Sequence, residues 1–192
     1  MSDKKGFPVV LSSPSGGGKS TVATALIKEL PFMVKSRSAT TRQPRPGEKD
    51  GVDYDFISSG EFHKRLKNMD FVECARVHGN DYGTPRGFIE AECAKGKNPL
   101  LVIDVQGALQ VRRHAPGSLL VFLMPPSLEE LERRLRERGM AEEEIKLRLG
   151  NARGEIAESA KYDYIVLNDR LDHAVAQMRE ILQKERRERS GE

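Results

Sequence analysis

"LSSPSGGGKST", residues 11–21, stands between a short apolar run, "FPVVLS" (7–12), and "STVATALIKEL" (20–30), in which Val22, Leu26 and Leu30 recur at every fourth position. A short apolar run reads as a buried strand and the four-residue recurrence as one face of a helix, so the order is strand, glycine-rich loop, helix. The loop nearly matches G-x-x-x-x-G-K-[ST], whose backbone N–H groups curl around phosphates while the lysine reaches the β/γ oxygens and the next hydroxyl binds Mg²⁺. Its candidate phosphate-binding residues are Ser13, Pro14, Ser15, Gly16, Gly17, Gly18, Lys19, Ser20 and Thr21, with Lys19 as the catalytic cation and Ser20 as the metal ligand. The triple glycine lets the main chain approach an anion without a Cβ in the way, and the following helix points its positive end at the same place. Ser13 stands where the first glycine of the pattern belongs, which matters only if that position needs positive φ or has no room for a Cβ. The other reading, a flexible glycine turn before an ordinary helix, leaves the Lys-Ser-Thr that follows unexplained.

Further along, "PLLVIDV" (99–105), "SLLVFLM" (118–124) and "YDYIVLN" (162–168) are short, continuous and rich in Val, Ile and Leu, as strands buried on both faces should be. Helical patterns separate or follow them. The best marked is "SLEELERRLRERG" (127–139), where Ser127 with Glu130 makes a capping box, Leu128, Leu131 and Leu135 form the apolar stripe, and Gly139 is the stop. A last helix carries Leu171, Val175, Met178 and Leu182 on one face. Alternation of this kind predicts an α/β domain with a parallel sheet flanked by helices, of the phosphate-loop NTPase type.

Residues 36–90 break the alternation. "SATTRQPRPGEKDGVDYDFIS" (38–58) is rich in Pro, Gly and charge, and "SSGEF" (58–62) offers a second capping box, Ser58 with Glu61, opening a short helix with Phe62 and Leu66 inward. We expect a single domain: a core of residues 1–35, 98–125 and 155–192, an inserted mixed α/β lobe over about 36–97, and a helical lid over about 126–154.

The 192 residues suffice for a substantial core, and 38% hydrophobic with 32% charged residues is the composition of a soluble globular protein. No apolar run approaches the length of a membrane span, and "MSDKKGFPVVL" lacks the marks of a secretory signal, so a cytoplasmic location and no membrane partner are expected. Cys74 and Cys93 stand without C-x-x-C spacing and read as indifferent thiols rather than a disulfide or metal site. His63, His78, His114 and His173 show no ligand spacing. The net charge of +3 would suit either nucleic acid or a phosphate-rich small molecule. No basic stripe with exposed aromatics supports the former, and no protein partner is evident.

"SATTRQPRPGE" sets Arg42 and Arg45 three apart in a stretch stiffened by Pro44 and Pro46. A rigid loop bearing two guanidiniums suits a dianionic phosphate, and a solvated surface loop is the alternative. With this stretch in place, the chain closely resembles the guanylate kinases. The resemblance runs from the phosphate loop to the final helix and rests on "SPSGGGKST", "TTRQPRPGE", "GVDYDF", "FVECA", "GNDYGT", "IDVQG", "RRLRERG" and "YDYIVLND".

The resemblance implies an enzyme that phosphorylates GMP, and dGMP, from ATP with Mg²⁺ as cofactor. It implies that Arg42, Arg45, Tyr54 and Tyr82 grip the acceptor phosphate and that Ser38, Glu73, Thr84 and Asp104 read guanine or its surroundings. It also implies that Arg134, Arg138 and Arg148 belong to a lid over the donor phosphates, while Arg133 and Arg136 remain solvated. Read from spacing alone, Arg134 and Arg138 lie four apart and share a helix face that could equally be salt-bridged and solvated. Asn168 is implied to lie near the donor adenine, and Asp169 could be a helix N-cap. The family often carries an aspartate where this chain has Val102, so Asp104 is expected to serve Mg²⁺-bound water as well as the acceptor. Two rivals remain: a kinase of the same fold for another small phosphate such as a ribose bisphosphate, and a non-catalytic interaction module of guanylate-kinase type.

Overall fold

The computed structural model describes residues 5–77 and 79–191. His78 lies outside them. Five strands, β1 (Val9–Ser12), β2 (Met33–Lys35), β7 (Asn98–Val102), β8 (Leu119–Met124) and β9 (Tyr164–Leu167), form one sheet in the order β2-β7-β1-β8-β9. Every pairing in it is parallel.

Successive strand side chains point to opposite faces, and this builds two hydrophobic layers from one apolar run. Val9 and Leu11 of β1 pack with Val22 and Leu26 of α1 (Lys19–Glu29) and with Val175, Met178 and Leu182 of α7 (Leu171–Ser190). Val10 faces the other way, into a cluster with Ile89 and Cys93 of α3 (Arg86–Ala94) and Val105, Ala108 and Val111 of α4 (Val105–His114). Strands covered on both faces need apolar residues at consecutive positions, which is the pattern these runs carry.

The inserted lobe holds a second sheet, in the order β4-β3-β6-β5, from β3 (Ala39–Thr40), β4 (Asp55–Phe56), β5 (Phe71–Val77) and β6 (Asn80–Pro85). Its own core is small: Ala39, Phe62 and Phe71, with Phe62 and Phe71 stacked at 4.7 Å between ring centroids. The sheet is fastened to the main body through its β5 edge. There Gln110 of α4 accepts from the Cys74 N–H at 3.0 Å and donates to the Cys74 carbonyl at 2.9 Å, replacing a strand partner.

Ser127 caps α5 (Leu128–Glu137) by accepting from the Glu130 N–H at 3.1 Å, and Ser58 caps α2 (Ser59–Lys67) in the same way through Glu61. Neither glutamate returns the bond to the cap. Glu130 pairs with Arg133 and Arg134, and Glu61 with Arg65. After α5 comes α6 (Glu142–Ala157), which runs on into a short 3₁₀ turn, Glu158–Lys161.

Four expectations are corrected. The strand expected over 99–105 ends at Val102, because the Asp104 carboxylate takes the Gly107 N–H at 2.8 Å and starts α4. Leu66 and Leu171 lie on the exposed side of their helices at 41% and 44% exposure, since each sits near a helix end beyond the layer it should reach. Arg138 follows α5 as its C-cap, so it does not continue the helical face of Arg134. Asp169 precedes the α7 cap residue Arg170 and accepts from its N–H at 2.7 Å.

Candidate active site

β1 lies at the centre of its sheet with β7 on one side and β8 on the other, and the chain leaves β1 toward β2 on one side but leaves β8 toward β9 on the other. Loops beyond the carboxyl ends of strands diverge at such a point and leave a crevice. The 13–18 loop fills its floor. Gly16 and Gly18 adopt φ of 87° and 91°, a left-handed conformation that side chains with a Cβ rarely take. Gly18 directly precedes α1, whose first-turn N–H groups have no side-chain cap and face the loop.

Ser13 needs no such conformation, because Met69 is the only non-glycine with left-handed φ among the described residues. Its side chain is buried and its hydroxyl donates to the Pro14 carbonyl at 2.9 Å. The room it uses is the room left by Gly17. A Cβ on residue 17 would lie 2.5 Å from Ser13 Oγ and 2.8 Å from Ser13 Cβ. Serine at position 13 is therefore accommodated by glycine at position 17.

Lys19 reaches back along the loop and donates to the Ser13 carbonyl at 2.7 Å. Burial pulls its ammonium below the usual lysine range, opposed by the carboxylates of Glu155 and Asp104, while Arg138 adds to the depression. A desolvated ammonium among backbone donors gains strongly from an incoming phosphate, which restores its counter-charge. Ser20 and Thr21 open α1 with exposed side chains.

The helical segments after β8 reach this loop. Leu131 and Leu135 of α5 pack against Gly16, the Leu135 side chain 2.8 Å from where a Cβ would stand. Arg134 bonds Glu130 at 2.8 Å and the Asn168 carbonyl at 3.0 Å, tying α5 to the end of β9. Arg148 of α6 is held by Glu144 and touches the Ser15 hydroxyl. Arg138 is exposed, with no ion pair among the described residues. Asn168 is buried and donates to the Gly17 carbonyl at 2.7 Å, so in this structure its amide supports the phosphate loop.

Arg42, Tyr54 and Tyr82 come together in the lobe. The Arg42 Nε donates to the Tyr82 hydroxyl at 3.2 Å, its guanidinium lies 5.4 Å from the Tyr54 ring centre, and the two tyrosine rings meet edge-on at 6.0 Å. Arg45 is exposed beside them. Sequence reasoning missed Glu48, which accepts from both terminal nitrogens of Arg42 at 2.9 Å and from the Arg45 backbone N–H at 2.7 Å. The Arg42 guanidinium and that N–H hold the Glu48 carboxyl down at about 2. Two charged forks in parallel fix the plane of the guanidinium. The available signal was the Arg-to-Glu spacing in "RQPRPGE", which reads as loop charge until the turn folds the two together.

Glu73 and Thr84 face each other across the β5–β6 pair, both buried, with the Thr84 hydroxyl donating to Glu73 Oε1 at 2.6 Å. Burial pushes the Glu73 carboxyl up, the Thr84 bond opposes this, and the nearby Asp104 charge adds to the rise. The other Glu73 oxygen lies against Gly107 of α4, 3.2 Å from the place a Cβ would occupy. Ser38 and Tyr54 line a separate hollow of about 80 Å³ whose wall includes Val102 and Ile103. Val102 thus gives this hollow an apolar wall.

Three side-chain groups thus stand out: the glycine-rich loop with Lys19, the Arg42–Tyr54–Tyr82 cluster braced by Glu48, and the buried Glu73 with its Thr84 partner. The sequence model of the family described as Guanylate kinase matches residues 5–185. A guanylate kinase of Paramagnetospirillum magneticum is 45% identical over 97% of this chain and 88% of its own length. One from Rickettsia bellii is 42% identical over 99% of this chain and 100% of its own. The crystal structure of guanylate kinase from Anaplasma phagocytophilum superposes with a TM-score of 0.74 at 38% identity, covering 95% of this chain and 87% of that one.

Proposed function

The chain belongs to the guanylate kinase family, and on that premise we propose how its residues carry the γ-phosphoryl group of ATP to GMP, giving ADP and GDP. The 13–18 loop and the α1 N-terminus cradle the donor phosphates, and Lys19 turns from the Ser13 carbonyl to their β/γ oxygens. Arg42, Arg45, Tyr54 and Tyr82 hold the GMP phosphate, with Glu48 as the brace that keeps Arg42 in plane. Glu73 accepts from the guanine N1–H and 2-amino edge, and Thr84, Ser38 and Asp104 complete its surroundings. Adenine lacks that donor edge and would leave the buried carboxylate without a partner, so the pocket discriminates by an unmet hydrogen bond rather than by size.

Transfer is direct and in line, with no covalent phosphoenzyme. The acceptor phosphate oxygen is already ionised, so no general base is required, and positioning with charge stabilisation supplies the catalysis. Arg138 and Arg148 neutralise charge as the phosphoryl group moves, and Arg134 steadies α5 against Asn168.

Mg²⁺ fits the residues present. Ser20 offers a hydroxyl at the loop's end and Asp104 a carboxylate, and this ion needs only one or two protein oxygens because it keeps several waters and binds substrate phosphates. Among the described residues no group of three or more His, Cys, Asp or Glu could hold a metal, so the ion would arrive with the nucleotide. Bound there, it would offset charge on the β- and γ-phosphates.

The observation that carries this reading is the buried Glu73–Thr84 pair. A ribose bisphosphate has no guanine edge and would give that carboxylate nothing to bind. The experiment is a coupled ADP-release assay with ATP and GMP on wild type and Lys19→Ala, beside calorimetry of GMP binding. The expected result is turnover in wild type, its collapse in Lys19→Ala, and GMP affinity unchanged. Wild-type GMP binding without turnover would favour an interaction module, and loss of GMP binding in the variant would refute the separation of sites.

A further inference from the structure

β5 lies at the edge of the lobe's sheet, with β6 as its strand partner. Its register against β6 slips between Phe71 and Glu73, where Val72 is passed over, so a bulge stands immediately before the buried Glu73 carboxylate. A bulge re-aims a side chain and interrupts the local ladder. Pairing with β6 therefore leaves the direction of Glu73 loosely set.

The other edge of β5 is held by a helix. His114 of α4 donates from Nδ1 to the Val72 carbonyl at 3.0 Å, and Gln110 accepts from the Cys74 N–H at 3.0 Å while donating to the Cys74 carbonyl at 2.9 Å. The backbone is thus gripped on both sides of Glu73. Gly107 stands on the same face of α4, three residues before Gln110 and seven before His114, and Glu73 Oε2 lies 3.2 Å from where its Cβ would be. Another face of α4 buries Val105, Ala108 and Val111 in the main body. The helix therefore carries the position of the core to the two peptide groups that flank the carboxylate.

We propose that Gln110 and His114 are positioning residues for acceptor selection: by pinning Val72 and Cys74 to α4 they aim Glu73 at the acceptor base. The inference rests on the reading of Glu73 given above. A fastener of lobe to core would change stability and leave the ratio between acceptors alone. A positioning pair changes that ratio, because a displaced carboxylate loses bonds that guanine makes and adenine never does.

The test is steady-state kinetics with GMP and with AMP, and KM for ATP, on wild type, Gln110→Met, His114→Leu and His114→Asn, with Tm measured beside them. Methionine keeps the length of glutamine without its amide, and asparagine keeps a donor near the place of Nδ1. Gln110→Met should raise KM for GMP about tenfold and cut the GMP-over-AMP ratio of kcat/KM by a similar factor, with KM for ATP unchanged. His114→Leu should move both in the same direction by less, and His114→Asn should restore them. An unchanged ratio in Gln110→Met and His114→Leu, whatever their Tm, would overturn the proposal. Absence of a preference for GMP in wild type would instead overturn the reading of Glu73. Should the variants not fold, amide hydrogen exchange at Cys74 in wild type reports on the same coupling, since a clasp that favours the acceptor must be favoured by it. Exchange should slow with GMP bound and not with ADP, and a rate indifferent to GMP would overturn the proposal.

Discussion

Gly17→Ala places a methyl group 2.5 Å from Ser13 Oγ, 2.8 Å from Ser13 Cβ and 3.0 Å from the Pro14 carbonyl oxygen. The backbone has little freedom to yield. The Gly17 N–H is bound to the Pro14 carbonyl at 2.9 Å and its own carbonyl to Asn168 at 2.7 Å. Overpacking of a tightly held site costs about 2 kcal/mol, which for a domain of this size lowers Tm by about 4–8 °C. The loop that must yield is the one proposed to cradle phosphate, so kcat/KM for ATP should fall by about a hundredfold, as a misplacement of about 1 Å in a reacting site does. The cause is a pair of residues, which makes the argument testable by a double-mutant cycle. Ser13→Gly removes the two nearest atoms, so Ser13→Gly with Gly17→Ala should regain about 1–2 kcal/mol relative to additivity, read from urea unfolding. Ser13→Ala with Gly17→Ala should regain less, because the Cβ remains. Strict additivity in the cycle, or a harmless Gly17→Ala, would refute the reasoning.

Glu48→Gln leaves Arg42 without its bidentate brace, and KM for GMP should rise about tenfold with KM for ATP unchanged, in steady-state kinetics. The Glu48 carboxyl is held at about 2 against 4.5 unfolded. Its pairing is thus fully in place above about pH 4.5 and lost as pH falls through about 2, an NMR titration that Arg42→Ala should return toward the unfolded value. Glu73 has the opposite sign. Its carboxyl is raised by burial, so ionising it opposes folding, and that cost grows as pH rises through the folded value. Glu73→Gln should therefore raise Tm at neutral pH while cutting the preference for GMP over AMP by at least about a hundredfold, seen in competition kinetics. Asn168→Ala removes the bond to the Gly17 carbonyl and should lower kcat/KM for ATP while GMP affinity by calorimetry stays constant.

Much of the main sheet was legible in sequence because strands covered on both faces must be apolar at consecutive positions, and β1, β7 and β8 obey this. β9, expected to be buried on both faces, instead lies at the sheet edge and leaves Ile165 and Leu167 at 52% and 45% exposure. β2 escaped notice, since Met33–Lys35 is too short to carry a period. The same brevity hid β3 and β4, at two residues each, so the lobe could be bounded but not traced. Caps were readable at Ser58 and Ser127 because their partners lie three residues away. Asp104 caps α4 by the same rule, but the apolar run before it and Val105 after it read as one strand and concealed the helix start.

In the site, the residues that touch across long sequence distances were legible only through motif resemblance. Glu48 shows why. It is an ordinary charge on a polar stretch until the turn at 43–47 brings it to Arg42. The permissiveness of position 13 was likewise invisible locally, because the space it uses belongs to Gly17. The bond from the Asn168 amide to the loop backbone was also not legible in sequence, since it spans the chain from residue 168 to residue 17.

The central claim is that a buried carboxylate at Glu73 selects guanine while a separate loop holds ATP. The most direct measurement is kcat/KM for GMP, AMP, CMP and UMP with ATP as donor, under one set of conditions. GMP should exceed AMP by about 10⁴ or more, the range reached when a buried polar group is left unpaired by the wrong substrate. Comparable values for GMP and AMP would contradict it.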